Sequence, residues 1–318
     1  MVPRVAVVGV GRMGYNHARV LKELEKKGLA VLAAVVDVDG VRARAVAGEF
    51  GTRALTDYRE LVELGVDAVV VAVPTKLHYE VASFFVESGL DVLVEKPIAD
   101  SVEKAEKLVR AAEEKGVVLM VGHVERFNPA VERLVEEVEA GALGELITMS
   151  ARRIGPFNPR VSDVSVVIDL AFHDIDVMIS LAQSKPVSVY ARARKMHGES
   201  LAEDYAFITL HFESGVDGFI ETNRLTPRKV RALDVVGVKG VAHLDYIEQK
   251  LVILDDKYVR EAVIERAEPL ARELQHFIEC VKGGAEPRVT GRDGLNALVV
   301  AEAALKSSRE GRVVELSW

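Results

Sequence analysis

The sequence predicts an α/β protein: a doubly wound parallel sheet, followed by an α+β domain built on an open, mostly antiparallel sheet. Up to residue 122, apolar runs alternate with helical patterns, which is typical of parallel strands covered by helices on both faces. After residue 122, strand-like runs follow one another through glycine-containing turns. With 318 residues, 49% of them hydrophobic, the chain is long enough for two domains, which we place at 1–122 and 123–318.

The first domain contains apolar runs that predict strands at Arg4–Val8, Val31–Val36, Ala68–Ala72, Asp91–Glu95 and Val117–Val121. Helical patterns lie between these runs, at Met13–Lys27, Val41–Phe50, Asp57–Leu64, Leu77–Ser88 and Ser101–Lys115. Ser101 precedes an acidic residue and a run of good helix formers, so it is predicted to cap the last of these helices.

The second domain opens with a predicted helix at Asn128–Ala140. Predicted strands follow at Leu146–Ile154, Val187–Arg194, Ala206–Phe212, Gly218–Asn223, Arg231–Gly237, Gly240–Asp245 and Lys250–Leu254. Two further helices are predicted at Glu268–Lys282 and Gly291–Ser308. The short spacing of the strands favours antiparallel pairing for most of this sheet.

A glycine pattern joins the first strand to the first helix: Gly9-x-Gly11-x-x-Gly14. In a dinucleotide site, such glycines permit a tight turn, the approach of a pyrophosphate and close packing of helix on strand. Arg12 and Met13 are expected to cover that pyrophosphate. Asp37 follows the second predicted strand, about 20 residues after the last glycine. In a dinucleotide site, an acidic residue at this position accepts a hydrogen bond from the ribose 2′-hydroxyl. A carboxylate repels a 2′-phosphate, so the sequence favours NAD over NADP.

Three more motifs follow along the chain: Glu95-Lys96-Pro97, Gly122-His123-x-x-Arg126-Phe127-Asn128-Pro129, and Asp169-Leu-Ala-Phe-His173-Asp174. With the glycine pattern, they resemble the glucose–fructose oxidoreductase/inositol dehydrogenase/rhizopine-catabolism (Gfo/Idh/MocA) family of NAD(P)-dependent sugar oxidoreductases. The resemblance covers nearly the whole chain. It implies an N-terminal Rossmann domain and a homodimer or homotetramer formed through the C-terminal sheet.

The resemblance implies three catalytic residues. Lys96 would polarise the substrate hydroxyl, His173 would accept its proton, and Asp169 would orient the substrate or the imidazole. Imidazole suits this task because its ordinary pKa, about 6.5, lies close to neutral pH. The structural alternatives are a solvated lysine at a strand end and a simple i, i+4 pair on one face of a helix.

The resemblance also implies residues that contact the cofactor and substrate. Pro74 and Thr75 would lie under the nicotinamide ribose, with His78 either contacting the cofactor or capping a helix. Glu95 and Lys96 count among the cofactor-binding residues. Arg126 would contact substrate or brace the domain junction. Arg153 and Arg160 lie in a run that resembles the nucleotide-sugar branch of the family, so they would bind phosphate or else remain surface arginines.

The favoured reaction is therefore NAD-dependent oxidation of UDP-N-acetylglucosamine at C3 of the sugar. Three alternatives stay open: a dehydrogenase for inositol or a free sugar, an NAD-dependent glycoside hydrolase, and a non-catalytic regulator that senses NAD or sugar. The net charge of −8 disfavours nucleic acid as a partner. No run reaches the about 20 apolar residues of a membrane span. The single cysteine, Cys280, is predicted to be a buried thiol and favours the cytoplasm, and the histidine spacing predicts no metal site.

Overall fold

The computed structural model describes residues 2–159 and 163–318, which form two compact units. The first unit comprises the residues up to Val124 together with Glu268–Leu295, and the second comprises Glu125–Ala267 and Asn296–Trp318. The predicted division at residue 122 assigned Glu268–Leu295 to the second domain. That segment joins the first unit instead, because its helix packs against the helix that follows the glycine pattern.

The helices of the described chain have these bounds: α1 Arg12–Lys26, α2 Gly40–Phe50, α3 Glu60–Leu64, α4 His78–Glu87, α5 Val102–Lys115, α6 Pro129–Glu139, α7 Phe172–Ala182, α8 Pro269–Val281 and α9 Gly291–Glu310. Ser101 caps α5 as predicted, since its hydroxyl accepts the N–H of Lys104 at 3.4 Å. Asp39 caps α2 in the same way, through two backbone N–H groups.

The first unit is built on strands with these bounds: β1 Arg4–Val8, β2 Val31–Val36, β3 Arg53–Leu55, β4 Ala68–Val71, β5 Asp91–Glu95 and β6 Leu119–Gly122. They are parallel throughout and lie in the order β3-β2-β1-β4-β5-β6. The strand order reverses between β1 and β4. In doubly wound sheets, ligands bind beyond the carboxyl ends of the strands at such a reversal.

The second unit is built on strands with these bounds: β7 Leu146–Ile154, β8 Pro186–Arg194, β9 Tyr205–Phe212, β10 Asp217–Asn223, β11 Val230–Gly237, β12 Gly240–Asp245, β13 Lys250–Leu254, β14 Val259–Glu261 and β15 Val314–Glu315. Their order is β14-β13-β12-β11-β7-β10-β9-β8-β15. Of these neighbours, β7 and β10 are parallel and the others antiparallel. This confirms the predicted open, mostly antiparallel sheet.

One face of this second sheet is covered and the other is exposed within the single chain. Helix α6 packs on β12 and β13, and α7 packs on β7. Along β9, Ala206, Ile208 and Leu210 are buried, whereas Phe207 and His211 on the opposite face are exposed. Among the described residues, no helix has the length and apolar composition that a membrane crossing requires.

Candidate active site

Close packing requires two of the three glycines in the pattern that follows β1. Gly9 has φ +84°, and a Cβ there would lie 2.7 Å from the carbonyl oxygen of Ala72. A Cβ on Gly14 would lie 1.7 Å from the carbonyl oxygen of Gly9. Any side chain at either position would therefore push the loop away from the end of β4 or lift α1 off β1.

The third glycine, Gly11, borders open space. It is the N-cap of α1, and no side chain caps that helix. Apart from Gly11 itself and its two neighbours in the chain, no atom lies within 4 Å of the place a Cβ would occupy. Arg12 and Met13 follow it and are exposed. The backbone N–H groups of this first turn therefore face a cradle that a pyrophosphate fits, with the positive end of the helix dipole behind it.

Asp37 lies beyond the end of β2, beside the glycine loop. Its carboxyl group, 6% exposed, accepts the N–H of Val10 at 3.0 Å and the N–H of Asp39 at 2.9 Å. Arg42 approaches the same carboxylate at 3.2 Å. These bonds fix a negative charge at the position where the sequence predicted a ribose acceptor, and they tie that charge to the loop that would hold the pyrophosphate.

We expect Asp37→Asn to weaken NADH binding by about 10-fold and to narrow the preference for NADH over NADPH, since it removes the charge and keeps an acceptor for the loop. Titration of cofactor fluorescence against the protein measures both dissociation constants. Asp39→Asn, which alters an exposed neighbouring carboxylate, is the matched control. An unchanged ratio of the two constants in Asp37→Asn would contradict the ribose role.

Lys96 follows β5 and is the only side chain from Val92 to Ala99 that is not buried. Behind it, the carboxylate of Glu95 lies 2.7 Å from Nε2 of His17 on α1 and accepts the N–H of Lys96 at 3.2 Å. Gly122 leaves room for this carboxylate, because a Cβ there would lie 3.2 Å from Oε2. Burial raises the pKa of Glu95, but the hydrogen bond and the charge of His17 lower it by a larger amount. The pKa of Glu95 is therefore below its ordinary value.

Glu95 is thus buried and bonded to the backbone of Lys96, and its predicted contact with the cofactor stays a prediction. His78, predicted either to touch the cofactor or to cap a helix, is 2% exposed. Its ring nitrogens lie 2.7 Å from the carbonyl oxygen of Pro97 and 2.8 Å from that of Val73. His78 thus ties the turn at the cis peptide between Lys96 and Pro97 to the end of β4. Pro74 and Thr75 lie at that same strand end and are exposed and half-buried, respectively.

A second carboxyl group, Glu273, is buried in the first unit. It lies on α8, is 0% exposed, and neither of its oxygens has a hydrogen-bond partner among the described residues. Burial, reinforced by the charge of Glu95, raises the pKa of Glu273 well above its ordinary value. In the folded protein this environment therefore favours the protonated, neutral form of Glu273. No local motif pointed to it, because its environment comes from a strand far away in the sequence.

The raised pKa makes Glu273 a source of pH-dependent stability. The contribution of protonated Glu273 to the free energy of unfolding is fully present below the ordinary glutamate pKa of about 4.3. It is lost as the pH rises toward the higher pKa of the folded state, because Glu273 loses its proton in the unfolded chain at a lower pH than in the folded one. We expect Glu273→Gln to raise the free energy of unfolding by about 1–3 kcal/mol more at pH 8 than at pH 5. Urea unfolding at the two pH values measures the difference. The exposed Glu279 on the same helix provides the control Glu279→Gln, and equal gains at both pH values would contradict a neutral Glu273.

In the second unit, Asp169 and His173 lie at the start of one helix. This helix begins with a π-helical turn, Val167–Ala171, and continues as α7. The wider turn changes the simple i, i+4 relation expected of these two side chains. His173 is the only side chain from Ala171 to Met178 that is not buried, and Asp169 is 32% exposed.

The acidic residues that follow His173 are held by arginines. Asp174 binds Arg153 through two hydrogen bonds, of 2.8 and 3.0 Å, and Arg153 also donates to Glu125 at 2.9 Å. Although burial lowers the pKa of Arg153, these carboxylates raise it above its ordinary value. Asp176 pairs with Arg126 at 3.6 Å. Arg126 thus braces α7, and its predicted contact with substrate stays a prediction.

Arg153 corrects a prediction. The sequence suggested a phosphate ligand, but the side chain is 1% exposed and its donors are directed at Asp174 and Glu125. Consecutive residues of a strand point to opposite faces, so Arg152 faces solvent and Arg153 faces the core. Arg160, the other predicted phosphate ligand, lies outside the described residues. Cys280 is buried as predicted, and burial raises the pKa of its thiol to about 11.

A glycine cradle at the strand-order reversal and an acid at the end of β2 define a dinucleotide-binding oxidoreductase. Residues 3–123 match the family described as "Oxidoreductase family, NAD-binding Rossmann fold", and residues 135–316 match "Oxidoreductase family, C-terminal alpha/beta domain". The chain belongs to this Gfo/Idh/MocA family and is a dehydrogenase that uses NAD and acts on CH–OH groups.

Similar proteins span almost the whole chain. Scyllo-inositol 2-dehydrogenase (NAD(+)) of Bacillus subtilis is 31% identical over 98% of this chain and 96% of that protein. UDP-N-acetylglucosamine 3-dehydrogenase of Acidithiobacillus ferrooxidans is 29% identical over 95% of both chains. A solved structure of the latter enzyme superposes with a TM-score of 0.90 at 27% identity, covering 98% of this chain and 99% of that one.

Proposed function

We propose that this protein oxidises a secondary hydroxyl of a sugar to a ketone, using Lys96, Asp169 and His173. The exposure of two side chains carries the proposal. Lys96 and His173 are each the one half-exposed residue in a run of buried residues. A lysine or a histidine that points out of the core adds nothing to its packing. A dehydrogenase, in contrast, needs a cation and a base at the reacting hydroxyl.

The reaction divides among the residues as follows. The Lys96 ammonium donates a hydrogen bond to the hydroxyl oxygen and stabilises the negative charge that develops on it. His173 accepts the hydroxyl proton, and Asp169 orients the reacting groups. NAD, when bound, supplies the acceptor for the hydride that leaves the carbon. The products are a ketone, NADH and the proton held by the imidazole.

For the substrate, we propose UDP-N-acetylglucosamine, oxidised at C3. The near-complete superposition on a UDP-N-acetylglucosamine 3-dehydrogenase supports this choice. A second candidate is an inositol or a free sugar, since the burial of Arg153 removes one of the two arginines expected at a phosphate. An inositol dehydrogenase is also among the similar proteins.

Absorbance of NADH tests the proposal, with purified protein and NAD mixed separately with UDP-N-acetylglucosamine, myo-inositol or glucose. A rise with the nucleotide sugar alone is the expected result. A rise only with inositol or glucose would keep the reaction and overturn the substrate. With no rise for any of them, release of a nitrophenol from aryl glycosides in the presence of NAD would identify a hydrolase, and cofactor binding without turnover would identify a regulator.

We also propose that two or four copies associate through the exposed face of the second sheet, and that the protein works in the cytoplasm. The exposed Phe207 and the half-exposed Phe219 on that face support association with a second copy. Light scattering is expected to give at least twice the chain mass of 34.7 kDa. Phe207→Glu should lower that mass, and a monomer in the unaltered protein would overturn the proposal.

A further inference from the structure

Arg224 follows β10 and is a buried cation joined to Asp169. Its Nη2 donates to Oδ2 of Asp169 at 2.6 Å, and its side chain is 5% exposed against 32% for Asp169. A surface ion pair with both partners in water would contribute little. Here the guanidinium has been taken out of water, so the geometry of its contacts determines what the pair does.

The guanidinium is held at a fixed position. The backbone N–H of Arg224 donates to the carbonyl oxygen of Asp204 at 2.8 Å, which anchors the residue beside the second sheet. Its Nη1 donates to the carbonyl oxygen of Val164 at 2.9 Å. The guanidinium therefore binds two groups at once, the carbonyl of Val164 just before the helix and the carboxylate of Asp169 in its first turns. Because the guanidinium is planar, these two bonds restrain the rotation of the Asp169 side chain.

The backbone of Asp169 is bonded within its own helix, whereas its carboxylate binds Arg224. Asp169 lies in the π-helical turn, yet its own backbone bond has the i, i−4 spacing of an α-helix. Its N–H bonds to the carbonyl oxygen of Ser165 at 3.0 Å. The carboxylate at this position thus owes its direction partly to a residue outside its own helix.

We propose that Arg224 is the positioning residue for Asp169, fixing the direction of its carboxylate and keeping it ionised beside the reacting hydroxyl. This inference rests on the proposed function, because it gives Asp169 its place in that reaction. Arg231 of β11 also acts electrostatically on Asp169. His173 follows Asp169 on the same helix. Arg224 itself donates a direct hydrogen bond of 2.6 Å to the Asp169 carboxylate.

Kinetics of five variants, one of them a double variant, test the inference. Arg224→Gln is expected to lower kcat about 10–100-fold and to move the acidic limb of the pH–rate profile to higher pH, with NADH affinity unchanged. Arg224→Lys keeps the positive charge but lacks the planar guanidinium. Its acidic limb should therefore lie at the same pH as in the unaltered protein, whereas its kcat should lie between those of the unaltered protein and Arg224→Gln. Adding Arg224→Gln to Asp169→Asn should cost nothing further. The matched control is Arg152→Gln, which breaks the exposed pair with Glu221 on the same sheet and should change none of these quantities.

The inference would be overturned if the losses of kcat in Arg224→Gln and Asp169→Asn multiply in the double variant. It would also be overturned if the acidic limb of the pH–rate profile stays in place in Arg224→Gln. A readout without turnover separates it from the proposed function. The carbon-13 signal of the Asp169 carboxyl, assigned by its absence in Asp169→Asn, should titrate at higher pH in Arg224→Gln than in the unaltered protein. An unchanged titration would overturn the inference even if the substrate panel succeeds. A shifted titration would support it even if no panel substrate is oxidised.

Discussion

Replacing His173 with asparagine is expected to lower kcat by about 10²–10⁴-fold, because a base positioned at the reacting proton contributes on that order. Asparagine keeps a polar side chain of similar size in the half-exposed position of α7 but cannot accept the proton. Lys96→Met should cause a loss of the same order by removing the charge that stabilises the developing oxyanion. Initial rates at saturating NAD and sugar measure both effects.

The control for this prediction is an exposed histidine that has no place in the proposed reaction. His243 on β12 is exposed and lies 2.6 Å from a carboxylate oxygen of Asp234, so His243→Asn should leave kcat unchanged. Affinity for NADH should stay the same in His173→Asn and His243→Asn, since neither variant alters the glycine loop, Asp37 or another predicted cofactor contact. An unchanged kcat in His173→Asn would exclude this imidazole as the base and remove the main support for the proposed mechanism.

Much of the fold could be predicted because local patterns and long-range pairing agree. Strands β1, β2 and β5 have the predicted bounds, since each is an apolar run that ends at a glycine or a charged residue. Strands β3, β14 and β15 were missed. Each is two or three residues long with charged side chains, so only its pairing with a neighbour makes it a strand.

The site could be predicted less completely, because partners that are distant in sequence decide what a charged residue does. The motifs located Lys96 and Asp37 at strand ends, which the structure reproduces. They gave no sign that Glu273 lies near Glu95 or that Arg224 binds Asp169. The burial of Arg153 was within reach, however, because two adjacent arginines in one predicted strand must point to opposite faces.

Arg153→Met is accordingly expected to destabilise the second unit by about 3–5 kcal/mol, because it leaves two buried carboxylates without their main counterion. Asp174 and Glu125 both bind this guanidinium, and the ring of Tyr246 lies 4.8 Å from its central carbon. For a domain of 150–250 residues, such a loss corresponds to a fall of about 6–20 °C in Tm. Circular dichroism during heating measures it.

The neighbouring arginine separates this effect from the loss of any cation. Arg152 pairs with the exposed Glu221 at 2.8 Å, so Arg152→Met should cost only about 0–1 kcal/mol. The source of the penalty can be tested in turn. If it comes from the unpaired carboxylates, adding Asp174→Asn to Arg153→Met should recover part of the lost Tm, although Asp174→Asn alone lowers it. Additive losses would mean instead that the packing of the arginine side chain against Tyr246, rather than the charge balance beneath His173, holds α7 in place.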